Sequence, residues 1–193
     1  MNDDYANLDY YRQKHSSENY GDTSLKYLRF LRPEIRDLGP KSILDYGCGQ
    51  SRLINVLAES LNVETARYDP AIPEYSTLPE RRFDLAYCID VLEHIEHTEI
   101  DRFLESIAAK ADEFIIVIDT APAQQLLDDG RNAHVSLQRH DWWQAKLEQH
   151  FGKVYPISTP RSTRAGFRTY ARRSEATFRL NRVLETVRHY IKR

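Results

Sequence analysis

Cysteine is scarce in this 193-residue chain: only Cys48 and Cys88 occur, and neither belongs to a C-x-x-C pair. That excludes a disulfide framework and a cysteine-based zinc site. Two reduced thiols are the expected state, which points to a reducing, cytoplasmic setting. Long apolar runs are also missing. The run FIIVI (114–118) is far too short to cross a bilayer, and the opening MNDDYANLDYYRQKH lacks the apolar core of a signal peptide. A formal charge of −2 gives the molecule as a whole no bias toward nucleic acid or membranes. There is no internal repeat and no low-complexity segment, and the length suits one domain. No G-x-x-x-x-G-K-[ST] phosphate loop is present, and the third glycine of the dinucleotide fingerprint is replaced, since Gln50 and Ser51 follow Gly49. The last absence weakens a dehydrogenase reading.

What is present centres on KSILDYGCGQS (41–51). Ile43 and Leu44 form an apolar run, Asp45 falls at its carboxyl end, and Gly47 and Gly49 supply a turn in which backbone can approach a ligand closely. Residues 52–61 then show helical apolar spacing at 53, 54, 57 and 61. Asp69 ends a second strand over 63–68, 24 positions after Asp45. A carboxylate there is the usual partner of a nucleoside's ribose hydroxyls. Further strands are expected at 83–89, 113–119, 153–158 and 167–171, the last two as a hairpin. Helices are expected at 23–38 (interrupted at Pro33), 98–110, 139–150 (with Asp141 as a cap) and 174–193. This alternation predicts an α/β fold: a doubly wound, mostly parallel sheet with a C-terminal helix. Its ligand crevice lies beyond the strands' carboxyl ends, where Asp45, Asp69, Asp90 and Asp119 all fall.

LDYGCGQ, YDP and FDLAYCIDVLEHI (83–95) together resemble the first, second and fourth motifs of the class I S-adenosylmethionine-dependent methyltransferases, over roughly residues 40–158. The resemblance implies a Rossmann-like fold and S-adenosylmethionine as cofactor. Asp45, Gly47, Cys48, Gly49, Asp69, Pro70 and Asp90 would line its site. The glycine turn would face the methionine part and Asp69 the ribose. Only 13 residues separate Asp69 from Phe83, so the family's third strand and its adenine-reading acidic residue are short or missing. The expected division is an N-terminal arm or lid (1–22), a methyltransferase domain (23–171) and a basic amphipathic helix (172–193). In the arm, Tyr11, His15 and Tyr20 either pack on the domain or, as a lid, approach the site.

Asp90, Glu93 and His94 come from DVLEH. On a helical turn they would share a face, and His134 from DGRNAH would add a fourth group. This set suits proton abstraction or a divalent cation such as Mg2+. It resembles the segments of small-RNA 3′-terminal 2′-O-methyltransferases and of ubiquinone-pathway O-methyltransferases, in which a metal grips neighbouring hydroxyls. The competing readings are His94 as a base without metal and a purely structural turn. Arg131 is a candidate for holding an anionic substrate group and Asn132 for a hydroxyl, against a solvated loop. Trp142 and Trp143 are packing residues or a stacking platform. The absence of N-P-P-Y after the 83–89 strand argues against amino-group methylation.

The expected function is therefore O-methylation of a hydroxylated small molecule or glycan. Metal-assisted 2′-O-methylation of RNA and non-catalytic cofactor binding are the alternatives. Residues 159–193 hold ten Lys or Arg against two Glu. Packing on the domain, a homodimer contact, an anionic membrane surface and nucleic acid are the readings of that tail.

Overall fold

The computed structural model describes residues 5–17 and 22–191. Six strands form one mixed sheet in the order β2-β1-β3-β4-β6-β5. Strands β1 (Ser42–Tyr46), β2 (Glu64–Tyr68), β3 (Phe83–Ile89) and β4 (Ala111–Asp119) are parallel. Strand β6 (Arg164–Arg168) runs antiparallel to β4, and the two-residue β5 (Tyr155–Pro156) antiparallel to β6.

The central strands are buried on both faces, so they read as continuous apolar runs. Alternation along β1 sends Leu44 and Tyr46 to one layer and Ile43 to the other. The first layer packs on α4 (Ile100–Ala108) and α5 (His140–Phe151) through Phe103, Leu104, Trp143 and Leu147. The second packs on α2 (Leu28–Leu38) and α3 (Leu53–Leu61) through Leu31, Ile35, Ile54 and Leu57. Helix α1 (Leu8–Ser17) precedes the sheet in the chain.

Several boundaries differ from expectation. The single helix expected over 23–38 is a 3-10 segment, Asp22–Tyr27, followed by α2. Pro33 lies buried inside α2 without ending it, and α2 stops at Gly39, which takes the left-handed conformation (φ 65°). The last strand is Arg164–Arg168 rather than 167–171, because pairing with β4 sets Asp119 opposite Arg164 and Ile115 opposite Arg168. Asp141 is not the cap of α5: Arg139 holds that position, and Asp141 accepts the Trp142 N–H at 3.0 Å. Residues 70–82 contain only the 3-10 turn Pro73–Tyr75, so β2 forms the sheet's edge.

The C-terminal helix α6 (Glu175–Ile191) also departs from its expected packing. Leu180, Val183, Leu184 and Val187 face away from the domain and are exposed, while Phe178 and Glu185 are buried. The cause is electrostatic. Glu185 pairs with Arg36 at 2.6 Å and Arg32 at 3.2 Å of α2, which docks its side of α6 onto that helix, while Arg188 of α6 itself adds a third pair at 3.0 Å. No described helix is long and apolar enough to cross a membrane.

Candidate active site

A cavity of about 1040 Å³ opens at the carboxyl ends of the parallel strands. Its floor begins at the turn after β1, where Gly47 (φ 81°) and Gly49 (φ 50°) both take positive φ. The N–H groups of Gly47 and Cys48 donate to the Tyr68 carbonyl at 2.8 and 3.1 Å, tying the turn to β2. Asp69 accepts the Gly49 N–H at 2.8 Å through Oδ2 and the Ala71 N–H at 2.9 Å through Oδ1. Gly47, Gly49, Asp69, Pro70 and Asp90 line the cavity.

Asp45 and Cys48 are not part of that lining. Cys48 is buried, and burial pushes its thiol pKa up, so it stays protonated. Asp45 points to the opposite face of the sheet from Tyr46 and accepts the Tyr87 hydroxyl at 2.7 Å. Burial raises its pKa to about 7. The folded value lies above the unfolded one, so this contribution to stability is full below the ordinary carboxylate range and is lost as pH rises through 7. Asp45→Asn keeps an acceptor for Tyr87. It should melt above wild type at pH 8, by the equivalent of ~1–4 kcal/mol, with the gap closing toward pH 4. Melting curves across that range check this; a constant gap would mean that Asp45 does not titrate there.

Beyond β3, Asp90 has φ 57° and Leu92–His94 make a single 3-10 turn. Asp90 thus lies outside the turn and does not share a face with Glu93 and His94, contrary to the four-ligand expectation. Its carboxylate accepts the Tyr27 hydroxyl at 2.9 and 3.1 Å and pairs with Arg164. The other three candidates do meet: one donor atom from each of Glu93, His94 and His134 lies within 4.8 Å of the others. Glu93 is fully buried. Its Oε1 accepts the Asp119 N–H at 3.0 Å, and its Oε2 has no hydrogen-bond partner among the described residues. Burial, reinforced by Asp90, raises the Glu93 pKa well above the carboxylate range. His134 Nδ1 lies 2.5 Å from the Ala121 carbonyl and His94 Nδ1 2.9 Å from that of Ala133. A carbonyl only accepts, so the tautomer that satisfies each carbonyl carries its proton on Nδ1 and leaves Nε2 as the ligand atom. Burial lowers the His94 pKa to about 4, so the ring is neutral near pH 7.

One carboxyl group and two imidazoles around an unpartnered buried oxygen fit a divalent cation. Asn132 shapes this corner rather than facing the cavity. Its Oδ1 accepts the Ala123 and His134 N–H groups at 2.9 and 3.0 Å, and its Nδ2 donates to the Ala123 carbonyl at 2.9 Å. Arg131 is also displaced from its expected role. It is exposed, lies off the cavity, and its guanidinium is taken by Asp129 and Glu96, each at 2.6 Å. Trp143 is fully buried, and Trp142 packs edge-on against it at 4.9 Å, away from the cavity.

Helix α1 runs along the cavity mouth. Tyr5 and Leu8 are buried in the domain, the Tyr10 hydroxyl donates to the Leu126 carbonyl at 3.1 Å, and Gln50 donates to the His15 carbonyl at 2.7 Å. Tyr11 and His15 line the cavity, and the Tyr11 hydroxyl lies 2.7 Å from His94 Nδ1. Tyr20 lies outside the described residues. Lys26, Arg161 and Arg164 also line the cavity, and none of them stood out in the sequence. For Arg161 and Arg164 the signal in the sequence is the basic excess after residue 159, and Lys26 has none.

Residues 19–163 match a family model described as a methyltransferase domain. The chain belongs to this family: it is a class I S-adenosylmethionine-dependent methyltransferase with a Rossmann-like fold. The fold is similar to the methyltransferase domain of the bacterial protein CtHen1, at 16% identity and TM-score 0.54, covering 75% of this chain and 98% of that one. It is similar to a putative O-methyltransferase from Nostoc punctiforme, at 14% identity and TM-score 0.58, with coverage of 89% and 64%. It is also similar to the Burkholderia thailandensis 1,6-didemethyltoxoflavin-N1-methyltransferase, at 15% identity and TM-score 0.52, with coverage of 84% and 82%. No curated protein matches the sequence.

Proposed function

We propose that the protein transfers the methyl group of S-adenosylmethionine to a hydroxyl of a small, hydroxylated acceptor. The observation that carries this reading is the meeting of Glu93, His94 and His134 at the cavity wall, each with a donor atom toward the others. The backbone at Gly47 and Gly49 would face the methionine part, and Asp69 would exchange its Gly49 bond for the ribose hydroxyls. Glu93, His94 and His134 would hold a divalent cation, which when bound lowers the pKa of a coordinated hydroxyl. Hydrogen bonds from Nδ1 to the Ala121 and Ala133 carbonyls would hold both imidazoles and leave Nε2 to take the cation. Positioning of the two reactants for in-line displacement supplies the remaining rate enhancement. The α1 helix along the mouth favours a small acceptor over a polymer. The same cluster would serve an RNA 2′-hydroxyl, and salt-sensitive RNA binding would mark that alternative.

Glu93→Gln and His134→Ala test the reading. Manganese affinity should fall in each by more than about 10–100-fold, the usual cost of losing a partner that only orients a ligand, and methyl transfer to a vicinal-diol acceptor panel should be lost. S-Adenosylhomocysteine affinity should stay near wild type. Transfer that survives both substitutions and a chelator would rule out the cation-assisted route.

A further inference from the structure

The corner of the cavity at β3, β4 and β6 gathers three basic side chains beside the carboxyl groups of Asp90, Glu93 and Asp119. Lys26, Arg161 and Arg164 all line it. Arg164 is committed to two acids: it pairs with Asp90, and with Asp119 at 3.1 Å. Lys26 and Arg161 make no ion pair with any described residue. Two of the three cations at this corner are thus left without a carboxylate paired to them among the described residues. The Lys26 ammonium lies 5.2 Å from the centre of the Tyr27 ring and the Arg164 guanidinium 5.7 Å from it, so both cations gather around one aromatic side chain. Burial, with Arg164 next, depresses the Lys26 pKa; that environment disfavours its charge and leaves room for a negative partner.

The position of this corner separates it from the cofactor's own end. The glycine turn and Asp69 stand at the ends of β1 and β2. The loop carrying Arg161 leads into β6, which lies three strand spacings from β1 across the sheet. That is about 14 Å at the usual spacing between neighbouring strands. The loop is fixed there, because Thr120 donates to the Thr163 carbonyl through its N–H at 2.8 Å and its hydroxyl at 2.7 Å.

We propose that Lys26 and Arg161 form an anion subsite for the methyl acceptor, so that the acceptor carries a carboxylate or phosphate group besides its reacting hydroxyl. The proposal rests on the methyl-transfer reading above and names the substrate class of that site. Lys26 contributes a point charge from the 3-10 segment before α2, and Arg161 a planar fork from the β5–β6 loop. Arg164 stays on Asp90 and Asp119 and keeps the subsite from closing on those carboxylates. The anionic group would anchor the acceptor at the β6 side and direct its hydroxyl toward Glu93, His94 and His134.

The test uses the full chain saturated with S-adenosylhomocysteine and inorganic phosphate or acetate as the probe. Wild type should melt at a higher temperature in phosphate than in chloride of equal ionic strength. The difference should shrink in Lys26→Met and in Arg161→Met, and vanish in the double variant, whose S-adenosylhomocysteine affinity should stay within about twofold of wild type. Equal stabilisation of wild type and double variant would overturn the proposal, since phosphate then acts as a general stabilising salt. A tenfold loss of S-adenosylhomocysteine affinity with unchanged 5′-methylthioadenosine affinity would also overturn it, by assigning the cations to the cofactor's carboxylate. Neither result depends on metal binding, so failure here is distinguishable from failure of the Glu93 and His134 experiment.

Discussion

Gly47→Ala should cost the protein its cofactor affinity, with S-adenosylhomocysteine binding weakened by more than about 100-fold. Two penalties coincide at this residue. Its φ of 81° belongs to the left-handed region, which costs a side-chain-bearing residue about 1–3 kcal/mol. A Cβ there would also sit 2.5 Å from Val91 Cγ2 and 3.1 Å from Cγ1. Such overpacking adds about 1–3 kcal/mol. Neither side can yield easily, because the turn is tied to the Tyr68 carbonyl and Val91 lies between Asp90 and the 3-10 turn that carries Glu93 and His94. Movement of the turn would shift the backbone that faces the cofactor. The double variant Gly47→Ala/Val91→Ala removes the clash but keeps the strained φ, so it should regain part of the affinity. Calorimetric titration of both variants distinguishes the two penalties. Near-wild-type binding by the single variant would contradict the close contact with Val91.

Arg164→Met should lower stability by about 3–5 kcal/mol, the usual cost of removing one partner from a buried ion pair. For a chain of this size that corresponds to a melting temperature roughly 6–20 °C lower. The Arg164 side chain is nearly enclosed and answers both Asp90 and Asp119, with the buried Glu93 beside them. Burial already raises the Asp90 pKa, and Arg164 is the strongest influence pulling it back. Without the guanidinium, Asp90 should take up a proton more readily, so the deficit should be smaller at pH 5 than at pH 8. Urea unfolding at the two pH values measures this. An equal deficit at both would place the loss in packing against Tyr27 rather than in charge.

The strands of the fold were legible because both faces of the sheet are covered. An uninterrupted apolar run such as FIIVI has few alternatives, and it lies buried in β4. The glycine turn and Asp69 were legible because a close backbone approach and a strand-end carboxylate leave local marks. Asp45 shows the limit of that reasoning. The period-two alternation that sends Leu44 to one layer sends Asp45 to the other, beneath the sheet with Tyr87. Being at a strand's end did not place it in the crevice. Asp90 shows a second limit. Helical spacing with Glu93 assumed a regular turn, whereas its positive φ breaks the periodicity one residue after β3. Lys26, Tyr27 and Arg164 meet Asp90 across 64, 63 and 74 positions of chain respectively, and no local pattern records such a meeting. On α6, the amphipathic pattern did not say which side would meet the domain, because Glu185 pairs with Arg32 and Arg36 of α2 far away in the chain.

The short connection after β2 has a consequence for how copies of the protein meet one another. With no strand among residues 70–82, β2 ends the sheet, and a bare sheet edge is a template on which another chain can add a strand. This edge is poorly suited to that. It is five residues long, and Glu64 at its start is bridged to Arg81 at 2.8 Å. The Arg67 guanidinium is spread over the Tyr75 hydroxyl, the Ser51 carbonyl and Asn55 at 2.8–3.0 Å. The following loop turns back so that the Asp69 N–H donates to the Tyr75 carbonyl at 2.9 Å. Charge and a recurved loop thus guard the margin that an outer strand would otherwise cover, and they disfavour addition of a strand from another molecule along β2.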